Sequence, residues 1–411
     1  MKEYNTIIIG GGPAGIIANI LLKNENTILL EQNDTLGKKL LLTGNQRCNL
    51  TNHSNLKTFI KSFRKAGNYY RPAFNNFFIE DLMNLIEDNG CPLKIEENNR
   101  VFPKSDDAKS VLDALYKSLD KTHKKYKYNA KVTNITKKEE KYLVEINNSE
   151  ELLTRNILIA TGGTAYPHTG STGDGYKFAE KLGHSITNKT YGLAPLYIEE
   201  DWITQLQATV LENKKIQVKT PEKRIINTEG TILFTHFGLS GPTILNISSQ
   251  ITKALETCDK VTIEIELVKT GYDQLDKQLQ KDFEEKPLIG LKKYLHKYLP
   301  PSMIECFCYD ILKIEDYKIL NQITKKERLL IRDTLKRLTV TTKKVAINTS
   351  MVSCGGISRK EINPNTLESN ISPNIYFAGE IIEGCGLSGG FNLQQAFSTG
   401  ALVAKTINEK P

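Results

Sequence analysis

The stretch Thr6-Ile7-Ile8-Ile9-Gly10-Gly11-Gly12-Pro13-Ala14-Gly15 constrains this chain more than any other. Three consecutive isoleucines favour a strand covered on both faces, as in a parallel sheet, because β-branched side chains pack well on a pleated surface. Gly10, Gly12 and Gly15 have the G-x-G-x-x-G spacing. In such a turn the first glycine permits the tight bend and the second lets a pyrophosphate approach the backbone. The third lets helix pack on strand. Pro13 suits the first helical position, where its missing N–H costs nothing. The free N–H groups and the dipole of that helix then face phosphates. A second strand, Thr27-Ile28-Leu29-Leu30, runs into Glu31 and Gln32. An acid about twenty residues past the glycines is placed to hold a ribose hydroxyl. The competing reading is a glycine turn in an ordinary α/β protein, with Glu31 a solvated strand end.

The chain has 411 residues, room for two or three domains. Its net charge of +8 is scattered in pairs such as Lys214-Lys215, Lys325-Lys326 and Lys343-Lys344. That pattern describes a solvated lysine-rich surface rather than a nucleic-acid stripe, so no nucleic-acid partner is expected. The seven cysteines are odd in number and irregularly spaced. They argue for a reducing compartment and against a disulfide framework. No zinc-ligand spacing occurs, so no metal is expected. The apolar run from Ile7 to Leu22 is broken by three glycines and a proline and is preceded by Glu3, which does not suit a signal peptide. No other run is long enough to span a bilayer. The expectation is a cytoplasmic protein without a membrane segment.

From Gly37 to Asn52 runs a long polar loop containing Lys38, Lys39, Gly44, Asn45, Gln46, Arg47 and Cys48. Loops of this length in a compact domain are usually functional, the alternative being a polar surface loop. Helices are expected over Asn55–Ala66 and Ala73–Asp88, and from a Ser105 cap through Lys121. Strands are expected at Leu93–Ile95, Ala130–Ile135, Tyr142–Ile146 and Asn156–Ala160, the last ending in Thr161-Gly162-Gly163. A helix follows Thr169–Gly175 and stops at Gly183. Near Tyr191 the texture changes. Strand-like pieces (Ile216–Val218, Thr231–Phe234, Val261–Leu267) precede helix-like ones (Gln274–Phe283, Leu288–Leu299, Met303–Leu312, Lys325–Leu338). The end of the chain returns to the pattern of the beginning. A strand Asn374–Phe377 leads into Ala378-Gly379-Glu380, a glycine loop to Gly390, and a helix through Asn392, Leu393 and Ala404. A sheet completed by both ends of the chain is implied.

These segments together resemble the glutathione-reductase-like FAD-binding fold, a Rossmann-like α/β class. The loop Gly44–Asn52, the motif Thr235-His236-Phe237-Gly238-Leu239-Ser240-Gly241-Pro242 and the run Gly389–Gly400 are similar to the bacterial flavoproteins that include aminoacetone oxidases and 3-dehydro-bile-acid reductases. The resemblance implies one FAD and three parts: residues 1–190 with 346–411 for FAD, an inserted β domain of 191–269 with 339–345, and a helical subdomain of 270–338. It places Gly10, Gly12, Ala14 and Gly15 under the pyrophosphate, with Glu31 and Gln32 at the adenosine ribose and Val132 at adenine. Lys39, Gly44 and Asn45 run along the flavin side, and Thr161 and Gly162 are cofactor-binding. Gly379 and Glu380 approach the ribityl chain, and Gly390, Asn392 and Leu393 the pyrimidine end. Two departures stand out. Gln46 occupies a position where the family commonly has glycine, and Gly384-Cys385-Gly386 replaces a usually more acidic stretch.

A flavin accepts hydride at N5 and gathers negative charge near N1, so the helix starting near Asn392 should point its N-terminus at that edge. No residue presents itself as acid or base. Arg47, Cys48, Tyr191 and His236 are the candidates, and Cys385 reads either as an approach from the C-terminal loop or as an inert thiol. No second G-x-G-x-x-G occurs, so any NAD(P)H would bind transiently. The expected function is an FAD-dependent oxidoreductase of a small organic substrate, either an NAD(P)H-dependent reductase or an amine oxidase. The alternative is an FAD-dependent tRNA-modifying enzyme.

Overall fold

A computed structural model describes residues 1–187, 190–220 and 225–410. The chain divides into two compact units, one of Met1–Tyr191 with Met351–Pro411 and one of Gly192–Ser350. Among the described residues no helix is long and apolar enough to cross a membrane.

The first unit is built on the expected isoleucine strand, Lys2–Ile9, in which Ile7 and Ile8 are fully buried. Burying each such side chain contributes about 1.5–3 kcal/mol. This strand pairs in parallel with Thr27–Leu30 on one side and Glu150–Ile159 on the other, with Ile7 opposite both Ile28 and Ile157. Lys125–Lys127 extends the first edge. The strand Glu150–Ile159 changes partners along its length. Its first half pairs antiparallel with Lys141–Ile146, and its second half pairs in parallel with Ile375–Phe377. The last stretch of the chain therefore joins the sheet that the first stretch began, as expected.

Helix Pro13–Leu21 and the long C-terminal helix Phe391–Glu409 pack on each other. They meet where Gly400 faces Ala14. A Cβ at Gly400 would overlap the Ala14 carbonyl oxygen and press on Ile17.

Several boundaries differ from expectation. The helix over Ala73–Asp88 is two helices, Gly67–Asn76 and Ile79–Glu87. Phe77 is extended between them, and the Asp81 carboxylate takes the Phe78 N–H at 2.8 Å, which starts the second. The cap of Ala108–Asp120 is Asp107, not Ser105, because the Asp107 carboxylate accepts from Lys109 N–H. Lys38–Leu42 is a short helix inside what reads as loop.

The second unit is a seven-stranded antiparallel sheet centred on Val210–Lys219 and Ile225–Thr235, with its own apolar core. Its helices include Tyr272–Glu285 and Lys325–Lys336, which pack together. The expected helix Leu288–Leu299 shrinks to Leu291–Leu295, and Met303–Leu312 divides into Pro301–Cys306 and a π turn Phe307–Leu312. The helix Pro242–Leu255 has no counterpart among the expected elements. It follows the glycine-rich motif, whose Gly241 has φ 91° and whose Pro242 takes the first helical position.

The crossing of the two terminal helices is testable. Gly400→Ala should destabilise the protein by about 1–3 kcal/mol, the usual cost of overpacking. It should lower the midpoint of a thermal melt, whereas Gly271→Ala, where a Cβ meets nothing within 4 Å, should not.

Candidate dinucleotide cradle

The glycines of the first turn divide by what surrounds them. Gly10 has φ 108°, and a Cβ there would lie 2.5 Å from the Ala160 carbonyl oxygen. A Cβ at Gly15 would overlap the Gly10 carbonyl oxygen. Both positions are closed by the protein's own backbone. Gly12 is different: a Cβ there would meet nothing within 4 Å. The open space lies at the N-terminus of helix Pro13–Leu21, where unpaired N–H groups and the helix dipole favour an anion. Ala14 is buried beside it, with its Cβ 3.2 Å from where a Cβ at Gly379 would stand.

Glu31 is buried, not a solvated strand end. Its Oε2 accepts from Gly11 N–H at 2.7 Å, and its Oε1 accepts from the backbone and side-chain N–H of Asn33 at 2.8 and 2.7 Å. The carboxylate thus ties the end of the second strand to the glycine turn. Ionised carboxylate oxygens have about four acceptor sites, so capacity remains for a hydroxyl donor. Gln32 donates to the Gly170 carbonyl at 2.5 Å. Asn129 and Ala130 donate to the carbonyls of Asn33 and Glu31, which lays the segment leading to buried Val132 beside the acid.

On the far side of Gly10 stands Thr161, whose hydroxyl is buried without a partner among the described residues. Gly163 follows, with no room for a Cβ against Ser353 and Glu380. Lys39 pairs with Glu380 at 2.5 Å, and the other Glu380 oxygen accepts from Ser353 N–H at 2.7 Å. The Ser353 hydroxyl in turn accepts from the N–H groups of Thr164 and Ala165. Gly379, at φ 79°, donates to Thr399 and accepts from Gln395, which fixes the strand end to the C-terminal helix. The Thr161 hydroxyl packs inward against Gly175, so the fit to a dinucleotide rests on the open space over Gly12 and the acid at the ribose position.

The loop Gly44–Asn52 winds through left-handed backbone at Gly44, Asn45, Gln46 and Cys48. Gln46, at φ 66°, therefore carries the strain that its replacement of glycine implies. The end of the loop is pinned to the last helix. Asn52 donates to the Gly389 carbonyl at 3.0 Å and Thr51 donates to Gln394 at 2.7 Å. The Asn49 amide, oriented to satisfy both neighbours, accepts from Gly390 N–H and donates to the Thr51 carbonyl. A Cβ at Gly390 would overlap the Thr51 backbone, so the protein itself demands glycine there. The Asn392 side chain is committed to Gly386 and Leu387, clamping the preceding loop. What Asn392 and Leu393 offer outward is first-turn N–H.

The four acid–base candidates fare differently. Arg47 is held by Glu96 and Asp106 and lies 4.2 Å over the Phe102 ring. Cys48 is fully buried, and burial pushes its thiol up to about 12, far from a nucleophilic thiolate. The Tyr191 hydroxyl accepts from Thr164 at 3.4 Å, beside Ser353. His236 belongs to the second unit, exposed and edge-on to Phe237. Cysteine spacing missed one feature entirely: Cys354 and Cys385 form a disulfide. Only the unusual residue at 385 hinted at it.

The contrast between open and closed glycines can be measured. Gly12→Ala should fold with near-normal stability yet lose most FAD affinity, whereas Gly15→Ala should lose about 1–3 kcal/mol of stability; paired melting and FAD-binding measurements separate them. Gln46→Gly should raise stability by roughly 0.5–1 kcal/mol, because relief of left-handed strain exceeds the entropy that glycine adds to the unfolded chain.

The family model described as "HI0933-like protein Rossmann domain" matches residues 4–406. The 3-dehydro-bile acid delta(4,6)-reductase of Clostridium scindens is 26% identical over 98% of this chain and 99% of that protein. The ribosomal RNA dihydrouridine synthase of Escherichia coli is 26% identical over 99% of this chain and 98% of that protein. Among solved structures, the 3-ketosteroid-delta4-(5alpha)-dehydrogenase of Rhodococcus jostii RHA1 superposes with a TM-score of 0.54 at 12% identity, over 100% of this chain and 97% of that one. A flavocytochrome c3 fumarate reductase gives 0.53 at 14% identity, over 99% and 78%. The match over nearly the whole length places this chain in the HI0933-like Rossmann family.

Proposed function

We propose that the chain is an FAD-dependent oxidoreductase that reduces a small organic substrate. The observation that carries this reading is the open space over Gly12 at a helix N-terminus, beside a glycine turn held by buried Glu31. Bound FAD supplies a two-electron centre that exchanges hydride at N5. The N–H groups of Gly12, Ala14 and Gly15 would hold its pyrophosphate, and Glu31, Gln32 and Val132 its adenosine end. Thr161, Gly162, Gly379 and Glu380 would line the linking chain, with Lys39, Gly44 and Asn45 along the ring. Gly390, Asn392 and Leu393 would present backbone dipoles to the pyrimidine edge and favour the negative charge that reduction places there. The Lys39 ammonium is paired with the Glu380 carboxylate, which orients it. The three-part division of the chain belongs to this reading, as does a transient NAD(P)H donor.

The names of the relatives favour reduction over amine oxidation. A delta(4,6)-reductase and a dihydrouridine synthase are both named for adding hydrogen to unsaturated carbon. The second name favours a second reading, a base within RNA as substrate. An excess of eight positive charges suits a polyanion, although its lysines are scattered.

Anaerobic titration with NADH and NADPH, followed by air, tests the reading. The expected result is a yellow protein whose flavin absorbance bleaches with one nicotinamide and returns slowly in air. A colourless chain that takes up no FAD would contradict it, and rapid return in air would favour an oxidase. Salt-sensitive retention of a ribosomal RNA transcript would support the RNA reading, and no retention at low salt would remove it.

A further inference from the structure

Cys354 and Cys385 lie 31 residues apart in sequence and 4.8 Å apart between Cα atoms. Their segments are registered without the sulfur bond. Gly384 N–H donates to the Cys354 carbonyl at 3.0 Å, Ile357 N–H to Ile381 at 2.9 Å, and Glu383 N–H to Ile357 at 3.1 Å. Gly356 sits too close to Ile381 to carry a side chain. On the outer flank the Tyr70 hydroxyl donates to the Glu383 carbonyl at 2.9 Å, and Leu387 N–H donates to Ser62. Closing a loop of this length stabilises the fold through the unfolded chain, and that role does not need segments registered this closely. What the scaffold provides is a dithiol whose sulfurs stay face to face after reduction, so that the bond recloses without a search.

Each cysteine also adjoins the cradle. Ser353, next to Cys354, is held by Glu380 and accepts from Thr164 and Ala165. Gly386, next to Cys385, is clamped to Asn392 at the start of the C-terminal helix. Both cysteines are half-buried. The other five are free thiols, and none of them is bonded to a second cysteine.

We propose that Cys354–Cys385 is a second two-electron centre, opened by electrons from FAD bound in the same unit; this rests on the FAD reading above. In the step the S–S bond breaks. Reduced FAD gives up two electrons and one proton, water supplies the second proton, both sulfurs become thiols, and the flavin returns oxidised. The reverse step stores an electron pair back on the flavin.

The test is an anaerobic dithionite titration of the FAD-loaded full chain, followed by flavin absorbance, with thiols counted after denaturing quench. Four electrons per FAD are expected, two for flavin and two for sulfur, and thiols should rise from five to seven. A Cys354→Ser, Cys385→Ser variant should take two electrons with thiols fixed at five. A yellow wild-type chain that takes only two electrons, that opens the disulfide only after denaturation, or that shows seven thiols before reduction overturns the proposal and leaves the FAD reading standing. A chain that binds no FAD overturns both, and its thiol count still reports whether the disulfide exists.

Discussion

Helix Pro13–Leu21 can rest on the turn that starts it because Gly15 has no side chain to place against the Gly10 carbonyl. The same kind of contact recurs around it. Gly10 lies against Ala160 and Gly400 against Ala14, and a Cβ at Gly379 would stand 3.2 Å from the Ala14 Cβ. Four close approaches thus draw the first strand, the strand Glu150–Ile159 and the C-terminal helix onto one turn. Backbone packed this tightly leaves no slack, and the one position in the turn with free space is Gly12. The cradle is what remains open after the protein has filled every other position, which is why its chemistry is mostly backbone N–H.

Polar groups then fix the rim. Glu31 holds Gly11 and Asn33, and Glu380 holds Lys39 and Ser353. Both acids use their oxygens to order the backbone around them. Ser353 passes the order on to Thr164 and Ala165, and Asn392 does the same for Gly386 and Leu387. An anion bound at the open position meets donors already aimed, which is the physical content of preorganisation. Beside this network, the backbone bonds of Gly384 to Cys354, Ile357 to Ile381 and Glu383 to Ile357 keep the two cysteine segments in register.

Much of this is legible in the sequence, for specific reasons. β-Branched runs bounded by small residues identify buried strands at Ile7–Ile9 and Asn156–Ile159, because nothing else accommodates them. The glycine spacing marks the turn because sterics dictate each position. Left-handed backbone at Gln46 follows from comparing one loop with a familiar pattern. Other features depend on tertiary partners. The break at Phe77 needs Asp81 to take a backbone N–H, and the choice of Asp107 over Ser105 turns on which side chain reaches Lys109. Helix Pro242–Leu255 follows a motif that the sequence offers only as a family resemblance, and its glycines serve a tight strand-to-helix turn. The disulfide joins segments 31 residues apart, and no spacing rule reaches that far. Gly390 is readable as a glycine that something approaches closely, but not that the neighbour is Thr51.

A crystal structure with FAD bound would decide whether the open position over Gly12 is the dinucleotide site. Pyrophosphate density is expected there, within hydrogen-bond reach of the N–H groups opening helix Pro13–Leu21, with a ribose hydroxyl on Glu31 and the Gly11–Glu31 bond retained. Density for the dinucleotide elsewhere, or over Gly12 with Glu31 turned away from it, would contradict this assignment.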